Sequence, residues 1–422
     1  MQNACHSMIR LPMAILIVIV IIFATIPLAL EMEPLFAAGS GPITPVQCQE
    51  PDSTDQSDDD LAVAVSGPIK QRVEALLRLS DGRFPLEKVV PIMARATSDQ
   101  DELVRAAGEV GIGRIGKTAV PFLGSMIGDG YLESQDFAPV CGAANVLGVE
   151  AVELFPELQK ALDSKEAPMQ KMALFGIQNM GDETAKAMDR MIELLDSNDL
   201  NVQVSVCRVL EQLGPKAAPA TDKLVEVFEK GTISAKSWAS IVLGAIGESD
   251  KYDILAMLTE RLDAFTMIEK QRAMIGLGHM GAKAQPAVEK VTQLMTNPLK
   301  NCQAQAAVTL WQITGKSDVC LKVLKELLTT VDYRMTVLEQ LANMGPVAAP
   351  LTDEICKELE SDDVALRELA AIALGKIGPG AKQAVPQLKN LLKDDDALLR
   401  QAVTDAIAAI EKEPEGKSPE LP

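Results

Sequence analysis

The stretch Gly111-Ile112-Gly113-Arg114-Ile115-Gly116-Lys117-Thr118 spells two phosphate-binding patterns at once, GxGxxG and GxxxxGK[ST]. Either pattern cradles phosphate on backbone N–H groups only where a strand precedes the glycines and a helix follows them. Here Ile112 and Ile115 fall on one face of a helix that Gly116 ends, so the pattern reads as packing and not as a nucleotide site. Histidine occurs twice, at His6 and His279, too far apart in character to form a metal pair, a triad or a proton relay. His279 is expected on a helix surface. The acidic runs Asp58-Asp59-Asp60, Asp362-Asp363 and Asp394-Asp395-Asp396 lie between helical segments, where they start helices and solubilise turns.

The seven cysteines lack CxxC spacing. Cys141 and Cys207 sit at one repeat position, where other units place small apolar residues, and two repeats put them far beyond the ~7 Å reach of a bridge. No disulfide is expected within the array. No catalytic residue, metal ligand or cofactor site emerges, so no cofactor is expected.

The elements around these residues are organised by a glycine series. Gly82, Gly116, Gly148, Gly181, Gly214, Gly247, Gly281, Gly315, Gly345 and Gly378 recur at intervals of 30 to 34 residues. Four residues before the glycine stand Ile112, Ala144, Ile177, Leu210, Leu243, Leu277, Trp311, Leu341 and Leu374. Eight before it stand small or β-branched residues, from Gly108 and Val140 to Ala370. These offsets mark one helical stripe whose small member lets a neighbouring helix approach. A proline recurs near the start of a second helix, at Pro121, Pro156, Pro219, Pro286, Pro350 and Pro386. A hairpin of this size cannot bury its own apolar face and must stack on neighbours. Ile313-Thr314-Gly315 breaks the pattern, and a one-residue shift with Ile313 in the core restores it.

The unit resembles a HEAT repeat of the short kind also found in phycobilin lyases. Ala371-Ile372-Ala373-Leu374-Gly375-Lys376-Ile377-Gly378 carries the likeness, as do Asp101 with Arg105, Asp363 with Arg367 and Asp396 with Arg400. The resemblance implies that these arginines pair with acids on neighbouring units. Gln170, Gln203, Lys236 and Lys270 stand at that position in the middle units, which breaks a continuous charge ladder. The fold class is all-α: an α-solenoid of about ten antiparallel helical hairpins, a HEAT-like superhelix, preceded by an N-terminal apolar helix. Ten stacked hairpins predict a curved array on the order of 100 Å long.

Leu11 to Leu30 contains no charged residue and has the length of a bilayer-spanning helix. Arg10 before it and Glu31 after it place the remainder outside the cytoplasm. Residues 1–38 therefore read as a signal or anchor segment, 39–66 as an acidic disordered linker, 67–411 as the array and 412–422 as a disordered tail. A net charge of −19 repels phosphate backbones and argues against nucleic-acid binding. Tyr131, Phe137, Trp238, Phe265 and Tyr333, with Phe228, lie in or near the connections between units and are candidates for an exposed partner-binding edge. The function expected is a non-enzymatic scaffold for a protein or peptide on the extracytoplasmic side of a membrane. The alternatives are a lyase-like or small-molecule-handling protein and a structural spacer.

Overall fold

The computed structural model describes residues 54–127 and 136–412. No strand occurs among them, and the helices alternate in two layers. The first helix of each unit, A, spans Ile69–Leu79, Glu102–Ile115, Phe137–Leu147, Ala167–Ile177, Leu200–Leu213, Ile233–Ile246, Met267–His279, Lys300–Thr314, Arg334–Met344 and Val364–Ile377. Each is followed by an antiparallel B helix, such as Thr221–Lys230, Ile254–Arg261 or Val385–Leu391. A last helix, Ala397–Glu411, packs on the tenth A helix and has no B partner among the described residues.

Local chemistry sets the unit. Asp101, Asp199, Asp363 and Asp396 start A helices by accepting hydrogen bonds from backbone N–H groups two or three residues on. The ten glycines of the repeat series, and no other described glycine, have positive φ, between 53° and 89°. A side chain there would meet the left-handed penalty, which is why the series is glycine throughout. In seven of the units a short 3-10 turn then carries the chain into the B helix. The units of Gly82, Gly247 and Gly315 lack that turn; Gly315 differs further in its true left-handed conformation (φ 70°, ψ 0°) and in a B helix that starts only three residues on, at Asp318. That early start shortens the unit. Ile313 is buried as the shifted register requires.

A helices pack directly on one another along the array except between units 8 and 9, whereas B helices beyond the first pair meet chiefly A helices and turns. The A layer is therefore the inner one, and the array bends around it. The bend closes. The last helix touches the A helices of units 1 and 2, and Ile69, Val73, Leu103, Val364 and Leu398 line one cleft of about 480 Å³ between the two ends. The curved array is thus one whose ends meet, because A helices pack closer than B helices at every step but that from unit 8 to unit 9.

Two further expectations change. Of the segment 39–66 expected to be a disordered linker, Thr54–Ser66 forms a helix. Its acids are not all solvated: Asp60 takes two hydrogen bonds from Arg78, at 2.6 and 3.2 Å, and Ala64 is buried. Residues 1–53, with the apolar run at 11–30, and residues 413–422 lie outside the described residues. Phe137–Ala161 is long and apolar enough to cross a membrane, but most of it is buried in the core, as a packing helix would be.

Candidate functional site

The A helix of each unit turns its core stripe toward the B layer, so residues two, six and nine before the glycine point to the opposite, inner face. Six and nine before the glycine most units carry small or apolar residues, while two before it polar ones such as Arg114, Asn179 and Lys376 are common. In units 5, 6 and 7 these positions carry Arg208, Trp238, Arg272 and His279. The guanidinium of Arg272 lies over the Trp238 ring at 4.2 Å from its centroid, and that of Arg208 lies 5.0 Å from the same ring. One indole thus holds two cations. Glu211, one turn beyond Arg208, approaches His279 Nε2 to 3.9 Å.

The tight packing of units 6 and 7 builds this cluster. Gly244 and Gly276 let the two A helices touch backbone to backbone: a Cβ at Gly276 would collide with the Ser240 carbonyl oxygen, and one at Gly244 with Gly276 itself. Close approach brings Trp238 of one helix under Arg272 of the next.

Confinement shifts the ionisable groups. Burial pushes the Glu211 carboxyl up to about 7 against the pull of Arg272 and Arg208. Burial lowers the Arg208 guanidinium to about 10, with Arg272 adding repulsion, and lowers Arg272 as well. Burial also drops His279 to about 4, so its imidazole is neutral near pH 7. His279 is therefore not the surface residue expected from its position: its side chain is 4% exposed. Elsewhere on the A helices Glu109, Glu339 and Glu368 are likewise raised to about 7, each chiefly by burial. Burial by the surrounding helices disfavours the charged form of each of these carboxyls.

The residues proposed for an aromatic edge are not brought together. Phe137 is buried at the start of a unit, and Trp238 is 9% exposed on the inner face, under arginines instead of at an edge. Phe228 is buried beneath the Arg261 guanidinium. Phe265 stands fully in solvent on an inter-unit turn, Tyr333 is half-buried, and Tyr131 lies outside the described residues. Large aromatic area is favourable to bury wherever a neighbour or a cation can cover it, as at Phe137, Phe228 and Trp238 but not at Phe265. Sequence reasoning missed the inner cluster. The signal was present in the phase of Arg208, Trp238 and Arg272, all six or nine residues before a repeat glycine.

Among the described residues the thiols are ill suited to chemistry. Cys141, Cys207, Cys302, Cys320 and Cys356 are buried and free, and burial raises Cys207 and Cys320 to about 12 and Cys356 to about 11. Such thiols are poor nucleophiles. Among the described residues no cluster of His, Cys, Asp and Glu is arranged to hold a metal ion.

The arginine eleven residues before the glycine has a role that glutamine can fill. Arg105 donates to the Asp99 and Gln100 carbonyls at 2.5 and 2.9 Å, and Arg400 to the Asp394 carbonyl at 2.6 Å. Gln170 and Gln203 donate to the carbonyl six residues back, at 2.7 and 2.9 Å, and Gln303 does the same in the shifted unit at 2.7 Å. The position seals the turn between units. Pairing with a neighbouring acid is kept at the ends, as Arg72 to Asp99 at 2.5 Å and Arg367 to Asp394 at 3.2 Å.

These features, a glycine-ended A helix, a short turn, a B helix and an inter-unit seal, are matched in part of the chain by a family model. The model for HEAT repeats matches residues 352–419. That stretch is a run of HEAT repeats, and the other described units share its helical-hairpin architecture. Among solved structures, the complex of CpcE and CpcF of phycocyanin lyase from Nostoc sp. PCC7120 is 17% identical with a TM-score of 0.43, over 56% of this chain and 94% of that one. An engineered protein is 18% identical with a TM-score of 0.35, over 85% of this chain and 99% of that one. Kap121p is 15% identical with a TM-score of 0.37, over 86% of this chain and 46% of that one. No curated protein matches the sequence.

Proposed function

We propose that this HEAT array is a non-enzymatic scaffold that takes an extended segment of a partner protein along its inner face. The observation that carries this reading is Trp238 held between Arg208 and Arg272 on that face. Desolvated arginine and tryptophan at the centre of a surface are the residue types that dominate protein interfaces. Among the described residues the buried, protonated thiols and the buried, neutral His279 favour this reading over a lyase-like one. We further propose that residues 11–30 hold the array at a membrane, on its extracytoplasmic side, as the charges flanking that run favour.

Affinity capture from membrane extracts with the full chain as bait tests the first part. A stoichiometric partner lost with Arg208→Gln or Arg272→Gln, and retained with Lys251→Gln on the outer edge, is the expected result. Equal capture by all variants would remove the inner face from consideration. Protease protection of the array in intact cells, against its digestion after the outer surface is exposed, tests the second.

A further inference from the structure

The two edges of the array differ in what they show to solvent. A helices all run the same way, so their starts and the turns between units lie at one edge, and their glycine ends lie at the other. Among the described residues thirteen large apolar side chains are exposed, and only Val149 and Val319 of these stand at the glycine edge. The others, from Val65 to Leu392, stand at the starting edge. Exposed aliphatic residues scattered singly need no explanation, but so strong a bias toward one edge marks a surface that something covers.

Where the ends of the array meet, this edge forms the cleft of about 480 Å³. Ile69, Leu103, Val364 and Leu398, each the first or second residue of its helix, converge there with Val73. Ile69, Leu103 and Val364 keep 46, 45 and 37% of their surface in solvent. The volume lies in the range of about 300–1,000 Å³ typical of ligand-binding pockets. We propose that the seam cleft docks a segment of a partner protein in which an aliphatic or aromatic side chain stands beside a lysine or arginine.

Charge selects the partner. Asp394, Asp395 and Asp396 line the cleft, against Lys70 and Arg367. The turns at 97–101, 359–363 and 392–396, which lead into its walls, carry eight acidic residues and one lysine. The nearby arginines are already engaged. Arg72 pairs with Asp99 and Arg367 with Asp394, while Arg105 and Arg400 donate to turn carbonyls. Asp362 and Asp395 are exposed and make no ion pair among the described residues. The surplus of negative charge reaches into the seam. Glu368 is held up at about 7 chiefly by burial, with Asp396 and Glu102 adding repulsion. A cation placed beside these carboxylates relieves that repulsion.

Other occupants meet the same charge with the wrong sign. A second copy of the chain in a two-fold contact would bring these acids against themselves, and an anionic lipid surface would be repelled by them. The cleft is built by units 1, 2 and 10 and the last helix, whereas Trp238 and its arginines belong to units 5 to 7, so either surface can bind without the other.

Panning a random dodecapeptide display library on the full chain in lipid nanodiscs, with empty discs to remove lipid binders, tests the proposal. The expected result is enrichment of peptides in which Leu, Ile or Phe stands next to Lys or Arg. Fluorescence anisotropy of one such peptide should show binding about tenfold weaker with Leu103→Ser or Val364→Ser, and weaker also with Asp395→Asn. Val319→Ser at the other edge and Arg272→Gln on the inner face should leave it unchanged. Circular dichroism melting shows that each variant is folded. Peptides that depend on Leu103 but carry no basic residue would overturn the basic partner. Binding lost in Arg272→Gln and kept in Leu103→Ser would put the peptide on the inner face, overturning this docking site while upholding that one. A dimer seen by sedimentation and dissociated by Leu103→Ser would give the cleft to a second copy and overturn the partner segment. No enrichment, or enrichment indifferent to both Leu103 and Val364, would overturn the site itself.

Discussion

Leu398, at the start of the last helix, belongs to the same apolar cluster as Val73, in the first helix of the array. The remainder of that last helix, from Leu399 through Ile410, belongs instead to a second cluster, which begins within unit 8 at Ala304. The core thus consists of two lobes. They join through the chain at unit 8, the shortened unit whose A helix does not pack on that of unit 9, and again across the seam at Leu398. A hinge opposite a latch is the mechanical consequence. Leu398→Glu places a charge in an apolar seam and should part the ends with little effect on the units themselves, since each unit is held by its neighbours. Small-angle scattering should show a larger radius of gyration for the variant while its helical circular dichroism is kept. An unchanged scattering profile would mean that the seam does not close the ring in solution.

Two glycines of unit 7 separate packing from backbone conformation. Gly276 has ordinary φ but no room, with the Ser240 carbonyl oxygen in the place of a Cβ. Gly281 has φ +56° and nothing within 4 Å of a Cβ. Gly281→Ala should cost roughly 1–2 kcal/mol, the left-handed penalty alone. Gly276→Ala forces two inner helices apart and should cost more, about 3 kcal/mol or above, as overpacking does. It should also dislodge Arg272 from Trp238, so the indole emission shifts in Gly276→Ala and not in Gly281→Ala. Chemical denaturation and fluorescence together decide the order.

Much of the fold was legible because the units repeat. The glycine series named every positive-φ glycine, and the offsets of four and eight residues picked out buried positions such as Ile112, Leu210 and Ala370. Ring closure was not legible. It depends on small differences in helix spacing summed over ten units, and no single residue encodes it. The burial of Trp238 was not legible for a related reason. Aromatic residues near turns suggested an edge, but whether Trp238 faces solvent depends on Arg208 and Arg272, thirty or more residues away in sequence. His279 was misread because its exposure is set by a neighbouring inner helix and not by its own.

Acid should stabilise this protein. Glu109, Glu211, Glu339 and Glu368 are raised to about 7 in the folded chain, so between the unfolded carboxylate range near ~4.3 and pH 7 the folded state binds more protons than the unfolded one. Stability contributed in this way is full below that range and is lost as pH rises through about 7. His279, lowered to about 4, acts in the opposite sense between pH 4 and ~6.5 and offsets about one of the four carboxyls. The melting temperature should therefore fall by a few degrees, roughly, from pH 5.5 to pH 8. Glu211→Gln should flatten that slope. A melting temperature that rises over this interval would contradict the burial of these carboxyls.

Removing His279 should not harm the fold. Its imidazole is buried and neutral and makes no hydrogen bond among the described residues, so it contributes area and carries the desolvation cost of two polar nitrogens. Replacing such a group by an apolar one of similar size is close to neutral or stabilising, within about 1–2 kcal/mol. His279→Leu should thus melt at or above the temperature of the parent chain, and more clearly so at pH 5, where the unfolded imidazole is protonated and the folded one is not. The same variant should lose affinity for any segment bound on the inner face. Stability gained together with binding lost is the signature of a residue retained for a ligand. A His279→Leu protein that is several kcal/mol less stable would assign the imidazole to the core instead.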